Sequence, residues 1–170
     1  MTGPLATRPG LTRALAAVRS GEIGLLRAVA LDLVATGPGD ALSELGPDAI
    51  EVLRGATGPT SVTLQAHASA DTGAATFLGR ADHGVAVSAH LSLVAGERRE
   101  YLRAAVRIVG THGSVLVDLL SPELDVRTAA GVRAVPFGLP GADVAPDEAT
   151  ETLSAIAGSA RSGATAETSW

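Results

Sequence analysis

Apolar residues along this chain change their spacing more than once, and each change predicts an element. Leu11, Ala14, Leu15 and Val18 recur at three- and four-residue steps, which predicts a helix over Leu11–Ser20 stopped by Gly21. Glu22-Ile23-Gly24 then turns the chain into Leu25–Val34, rich enough in Leu and Val for a buried strand, and Gly37-Pro38-Gly39 breaks it. Helical spacing returns over Ala41–Arg54, where Leu42, Leu45, Ala49, Val52 and Leu53 gather near one face. Gly46-Pro47 lies inside that stretch and predicts two short helices, or a second helix that opens with Pro47 in its first turn. Gly55 to Pro59 closes the helical region.

Beyond Pro59 the apolar period falls to two residues, the spacing of half-buried strands. Strands are expected over Ser61–Ala68, Ala74–Arg80, Val85–Val94, Glu100–Val109, Ser114–Leu120, Leu124–Thr128 and Val132–Pro136. Asp82-His83-Gly84, Gly96, Gly110-Thr111-His112-Gly113 and Ala130-Gly131 supply turns, so these strands form an antiparallel meander. Asp147–Ala157 reads as a last helix, with Pro146 before it and two acidic residues in its first turn. Residues 1–10 read as a flexible lead-in, 11–158 as a single domain, and 159–170, rich in Ser, Ala, Gly and Thr, as a disordered tail. Early helices, then strands, then one helix is an α+β order: an open, mostly antiparallel sheet with helices on one face. Along Glu100–Val109, strict alternation puts Leu102, Ala104, Val106 and Ile108 on one side and Tyr101, Arg103, Ala105, Arg107 and Val109 on the other.

Composition narrows the chemistry. At 170 residues and 46% hydrophobic the chain can bury one core, which must be aliphatic because only 2% of residues are aromatic. A net charge of −5 argues against nucleic-acid partners, which need cations facing phosphates, and leaves Arg98-Arg99 as a solvated turn. Lysine is absent, which removes Schiff-base chemistry, and cysteine is absent, which removes disulfides and thiolate sites. Arg8, Arg13 and Arg19 interrupt any leader-like apolar run, and Arg27 and Asp32 interrupt any membrane span; a cytoplasmic protein is expected.

Two stretches carry a resemblance. Gly39-Asp-Ala-Leu-Ser-Glu44-Leu-Gly-Pro-Asp48-Ala-Ile-Glu51-Val-Leu-Arg54 followed by Gly58, and Arg107-Ile-Val-Gly110-Thr-His-Gly113-Ser-Val-Leu-Val-Asp118, together resemble the C-terminal domain of the Gfo/Idh/MocA oxidoreductases. The resemblance runs from about Leu11 to Ala157 and leaves out the N-terminal Rossmann domain that binds NAD(P). It implies a small-molecule substrate on the helical side of the sheet and homo-oligomerisation through the open face. It also implies that this chain alone binds no cofactor, and that NAD(P) arrives only through a Rossmann-domain partner. In catalytic members the helix motif holds an Asp, a His four residues later and a further Asp; those positions here are Glu44, Asp48 and Glu51, so the imidazole is lost. The family's lysine lies in the missing half. The loop Gly37-Pro38-Gly39-Asp40 mimics the start of a dinucleotide fingerprint, but Leu42 replaces its third glycine, Pro38 lacks an amide donor and Asp40 would repel a pyrophosphate.

Candidate site residues follow, each with a plainer reading beside it. Glu44 and Asp48 are four apart and would share a helix face; close together in an apolar cleft they form an acid/base pair, and otherwise an acidic surface or a helix cap. Glu51 joins them as a substrate contact or pairs with Arg54 on the helix surface. His67 and His90 lie in expected strands and could meet across the sheet; if they faced the helices, His90 could move the proton that Asp48 cannot and His67 could contact substrate. Tyr101 is the one phenol, a hydrogen-bond donor to a ligand or a packing residue. The four histidines show no metal-ligand spacing, so no metal is expected. Three functions remain open: a substrate-binding and oligomerisation domain that works with a Rossmann-containing partner; a cofactor-independent isomerase, lyase or cyclase using Glu44 and Asp48; and a non-catalytic structural homo-oligomer.

Overall fold

A nine-stranded sheet organises the chain in a computed structural model that describes residues 5–69, 73–121, 123–136 and 149–169. Its strands are β1 (Leu26–Gly37), β2 (Ser61–Ser69), β3 (Ala74–Ala81), β4 (Ala86–Ala95), β5 (Glu100–Gly110), β6 (Gly113–Asp118), β7 (Glu123–Thr128), β8 (Gly131–Pro136) and β9 (Ala166–Ser169). Their spatial order is β8-β7-β6-β5-β1-β4-β3-β2-β9. Short turns join β2-β3-β4 and β5-β6-β7-β8 into two antiparallel meanders, as the turn residues require. β1 sits between them, antiparallel to β5 and parallel to β4.

Among the described residues three α-helices lie on one side of this sheet, which is the α+β layering expected from the element order. α1 (Pro9–Arg19) covers β5 to β7, α2 (Ala41–Thr57) covers β1, β3 and β4, and α3 (Ala149–Ser162) covers β2 and β9. The apolar parity of each strand faces them: Val29, Leu31, Leu33 and Ala35 on β1, Val62, Leu64 and Ala66 on β2, and Val87, Ala89, Leu91 and Leu93 on β4 are all buried. Leu11 and Ala14 of α1, Leu45, Ala49, Val52 and Leu53 of α2, and Ile156 of α3 meet them. Burying each large aliphatic side chain contributes about 1.5–3 kcal/mol, so this aliphatic core needs few rings beyond Phe77. Among the described residues no helix lies over the opposite face. One row across it reads Gln65, Leu78, Ser88, Ala30, Arg107, Leu116 and Asp125, small in the middle and polar or apolar at the flanks.

Several expectations change. α2 is one helix: Pro47 lies inside it, with a side-chain cap from Asp40 at its start. Burial of the helix on both sides of Pro47 outweighs the one hydrogen bond that proline removes. α1 begins at Pro9, and Leu5, in a 3₁₀ turn over Leu5–Thr7, is buried, so the domain takes in part of the expected lead-in. At the other end, α3 runs to Ser162 and Ala166–Ser169 pairs with β2, where a disordered tail was expected. Composition could not show this because backbone hydrogen bonds hold that strand and need no apolar side chains. Ser159 makes the join: it is buried, accepts from the Ala66 N–H at 2.9 Å and donates to the Ala164 carbonyl at 2.6 Å. Asp147 and Glu148, the expected start of the last helix, lie outside the described residues.

Strict alternation also fails in β5. Its pairing with β1 shifts by one residue, so Val34 faces Arg103 whereas Ala35 faces Tyr101. The extra residue, Leu102, is pushed outward and is 58% exposed. Tyr101 therefore stands on the helix face with Ala35, packed against the core, and not with Arg103 as a simple period of two requires.

Candidate functional site

Because β1 and β4 run parallel, their last residues, Gly37 and Ala95, lie side by side at one end of the sheet. Two loops leave from there, and hydrogen bonds tie them together. Gly96 N–H donates to the Gly37 carbonyl at 3.3 Å, and the Thr36 hydroxyl donates to the Arg98 carbonyl at 3.0 Å. The first loop turns at Gly39, whose φ of +93° suits glycine, and ends at Asp40. Asp40 caps α2 by accepting the Ser43 N–H at 3.0 Å, and that bond holds its carboxyl below the usual range while partial burial opposes it. Glu44 folds back over Gly39: a β-carbon there would lie 3.2 Å from Glu44 Oε1.

One turn further along α2, Asp48 is the focus of a cluster. Its carboxylate accepts hydrogen bonds from the Arg99 guanidinium and from the Tyr101 hydroxyl. Arg99 also stands over the Tyr101 ring, 5.2 Å from its centroid, in cation–π contact. The Asp48 side chain is 17% exposed and Arg99 37%, so the pair opens toward water from one side. Burial raises the Tyr101 pKa above 10.0; the charge of Arg99 opposes the shift and that of Glu44 adds to it. Tyr101 is thus a neutral hydrogen-bond donor at physiological pH.

The cluster contains Glu44, Asp48 and Tyr101 of the residues singled out in the sequence. It adds Arg99, which reads there as part of a solvated turn. Arg99 stands beside Asp48 as a counter-charge. Glu51 lies on α2 one turn past Asp48 and is half-buried. The histidines stand elsewhere. His67 and His90 are exposed on the open face, one on each side of Thr76, whose hydroxyl lies 3.1 Å from His90 Nδ1. Next in that row is Asp32, in an ion pair with Arg103 at 3.0 Å. The structure therefore does not bring His67 or His90 to Glu44 and Asp48: the sheet lies between them. Alternation explains it, since Leu64 and Ala66, and Ala89 and Leu91, take the core side of the two strands. Among the described residues no three His, Cys, Asp or Glu side chains come together as metal ligands.

The loop before α2 does not fit a dinucleotide. Asp40 already takes the Ser43 amide at the helix start, Pro38 offers none, and the Glu44 carboxylate lies on Gly39 where a pyrophosphate would approach.

The described helices all lie on one side of this sheet, and the chain has the α+β fold of the matching part of solved Gfo/Idh/MocA-type oxidoreductases. It is similar to the aldose-aldose oxidoreductase of Caulobacter crescentus, solved with glycerol, at 18% identity and a TM-score of 0.75, covering 97% of this chain and 62% of that one. An oxidoreductase domain protein from Kribbella flavida gives 15% identity, a TM-score of 0.71, and coverage of 96% and 65%. A levoglucosan dehydrogenase, solved with NADH and L-sorbose, gives 17%, 0.68, and coverage of 96% and 64%. The chain thus spans less than two thirds of the length of these oxidoreductases. No family model and no curated protein matches it. Among the described residues no helix is long and apolar enough to cross a membrane.

Proposed function

We propose that this chain is the substrate-binding and assembly part of an NAD(P)-dependent oxidoreductase, working with a Rossmann-containing partner that holds the nucleotide in the cytoplasm. The observation that carries this reading is the cluster of Asp48, Arg99 and Tyr101 on the helix side, at the joined ends of β1 and β4. It offers carboxylate oxygens as acceptors and a guanidinium and a neutral phenol as donors, which suits a small molecule bearing several hydroxyls. Glycerol and L-sorbose in two of the similar oxidoreductases have that chemistry. The nucleotide, when brought by the partner, supplies hydride transfer. This chain's residues bind and orient: Asp48, held by Arg99, accepts a substrate hydroxyl, and Tyr101, turning its O–H away from Asp48, donates to a substrate oxygen. Glu44 and Glu51 border that contact. The open sheet face serves homo-oligomerisation.

Purified chain titrated with NADH should show no saturable change in nucleotide fluorescence, and a tagged copy should retrieve a Rossmann-domain oxidoreductase. Oxidation of polyols should appear only in the mixture. Arg99→Gln should raise KM there on the order of tenfold with little change in kcat, the result of losing a charge-assisted contact. Tight NADH binding by the chain alone would overturn the reading. So would isomerisation by the chain alone that is abolished in Glu44→Gln and Asp48→Asn.

A further inference from the structure

At the far end of β1 from Asp48, a cleft of about 250 Å³ opens between α1 and the strands β7 and β8. Arg13 and Ala16 of α1 form one wall, Arg133 of β8 the other, and Leu124 and Val126 of β7 the bottom. The small side chain of Ala16 leaves the space, and Leu124 and Val126 are buried, so the bottom is apolar. Register explains the second arginine: Arg133 pairs with Val126, which faces the helices, so Arg133 projects to that side rather than to the open face. Its guanidinium is held by Glu22, just before β1, which fixes one fork at the rim. Two arginines against one glutamate leave a single positive charge around an apolar slot.

We propose that this cleft is a second binding site, independent of the Asp48 cluster, for a small carboxylic acid with an apolar body. The carboxylate takes the forks of Arg13 and Arg133, whose planar donor geometry matches it. The apolar body lies against Leu124 and Val126 in place of water. A lone phosphate fills this slot poorly, because it leaves the bottom uncovered and brings more negative charge to Glu22. The twelve residues of β1, roughly 35–40 Å at about 3.3 Å per residue, separate the two sites, so a ligand here does not occupy the substrate cluster.

Isothermal titration of the whole chain with benzoate tests the assignment. Saturable binding is expected, weakened about tenfold in Arg13→Gln, where one fork is lost. It should be weakened at least as much in Ala16→Phe, where the slot is filled. Both positions are on the exposed side of α1, and equal thermal midpoints will show that the fold is kept. Arg99→Gln should leave benzoate binding unchanged, which separates this site from the proposed substrate cluster. The proposal is overturned if benzoate shows no saturable binding at millimolar concentration, or if neither α1 substitution weakens it. It is also overturned if inorganic phosphate displaces benzoate at equal concentration.

Discussion

Tyr101 is the residue whose position changed most between pattern and structure, and its surroundings make a direct prediction. Burial raises its pKa above 10.0, so the folded state holds the phenol proton more tightly than the unfolded chain does. The linked stability is fully present below the unfolded pKa and is lost as pH rises through the higher folded one. Since Tyr101 is the only tyrosine, its absorbance near 295 nm should titrate as a single group with a midpoint above 10, returning to about 10 in denaturant. A midpoint at or below 10 in the folded chain would show that the phenol is not buried. Asp40 has the opposite sign. Its lowered pKa contributes stability above the unfolded value, lost as pH falls through the folded one. Asp40→Ala should cost about 1 kcal/mol at pH 7 by urea unfolding, and the difference from the parent should close in acid, below pH 4. Arg99 was hidden because charge next to a turn glycine reads as solvation. Its one sequence signal is its place two residues before Tyr101, the spacing that puts neighbours on one side of a strand.

Elements were legible where one side chain in two had to be buried, and less so where backbone alone set the structure. The seven strands from Ser61 to Pro136 fall where alternation placed them, within a residue or two at each end. The side on which His67 and His90 stand was also readable, from the apolar parity of their own strands. The extra residue at Leu102 was not, because a bulge carries no compositional mark. β9 was invisible for a related reason: Ala166–Ser169 has no apolar pattern and is fixed by its ladder to β2. The link at Ser159 gives a test of that attachment. Ser159→Ala leaves the Ala66 N–H and the Ala164 carbonyl without this partner and should lower stability by about 1–3 kcal/mol. A null effect would mean that the β2–β9 ladder and the packing of Ile156 hold the end of the chain without this link. Pro47 predicts the reverse. Pro47→Ala restores a helix donor within α2 and should raise unfolding free energy by about 1–3 kcal/mol, because proline inside a helix costs roughly that much.

At the scale of the molecule, the described helices lie on one side of the sheet, and none of the described residues forms a helix over the other. Its middle is flat and small-sided, with Ala28, Ala30, Ala86 and Ser88, and Leu78 nearby is 61% exposed. Sedimentation velocity on Ala30→Arg should shift the proposed oligomer toward monomer without changing the melting temperature by more than a few degrees. An unchanged sedimentation coefficient would place the contact elsewhere. The position of β1 has a further consequence. It is the first of the described strands, yet its two neighbours, β4 and β5, come only after α2, β2 and β3. A ribosome therefore releases a twelve-residue, largely aliphatic ribbon whose hydrogen-bonding edges both stay unmet until β4 and β5 have emerged. Non-local pairing of that kind slows folding and lengthens the time that a sticky segment is bare. Newly made copies should therefore lean on holdase chaperones far more than the finished domain's stability would suggest.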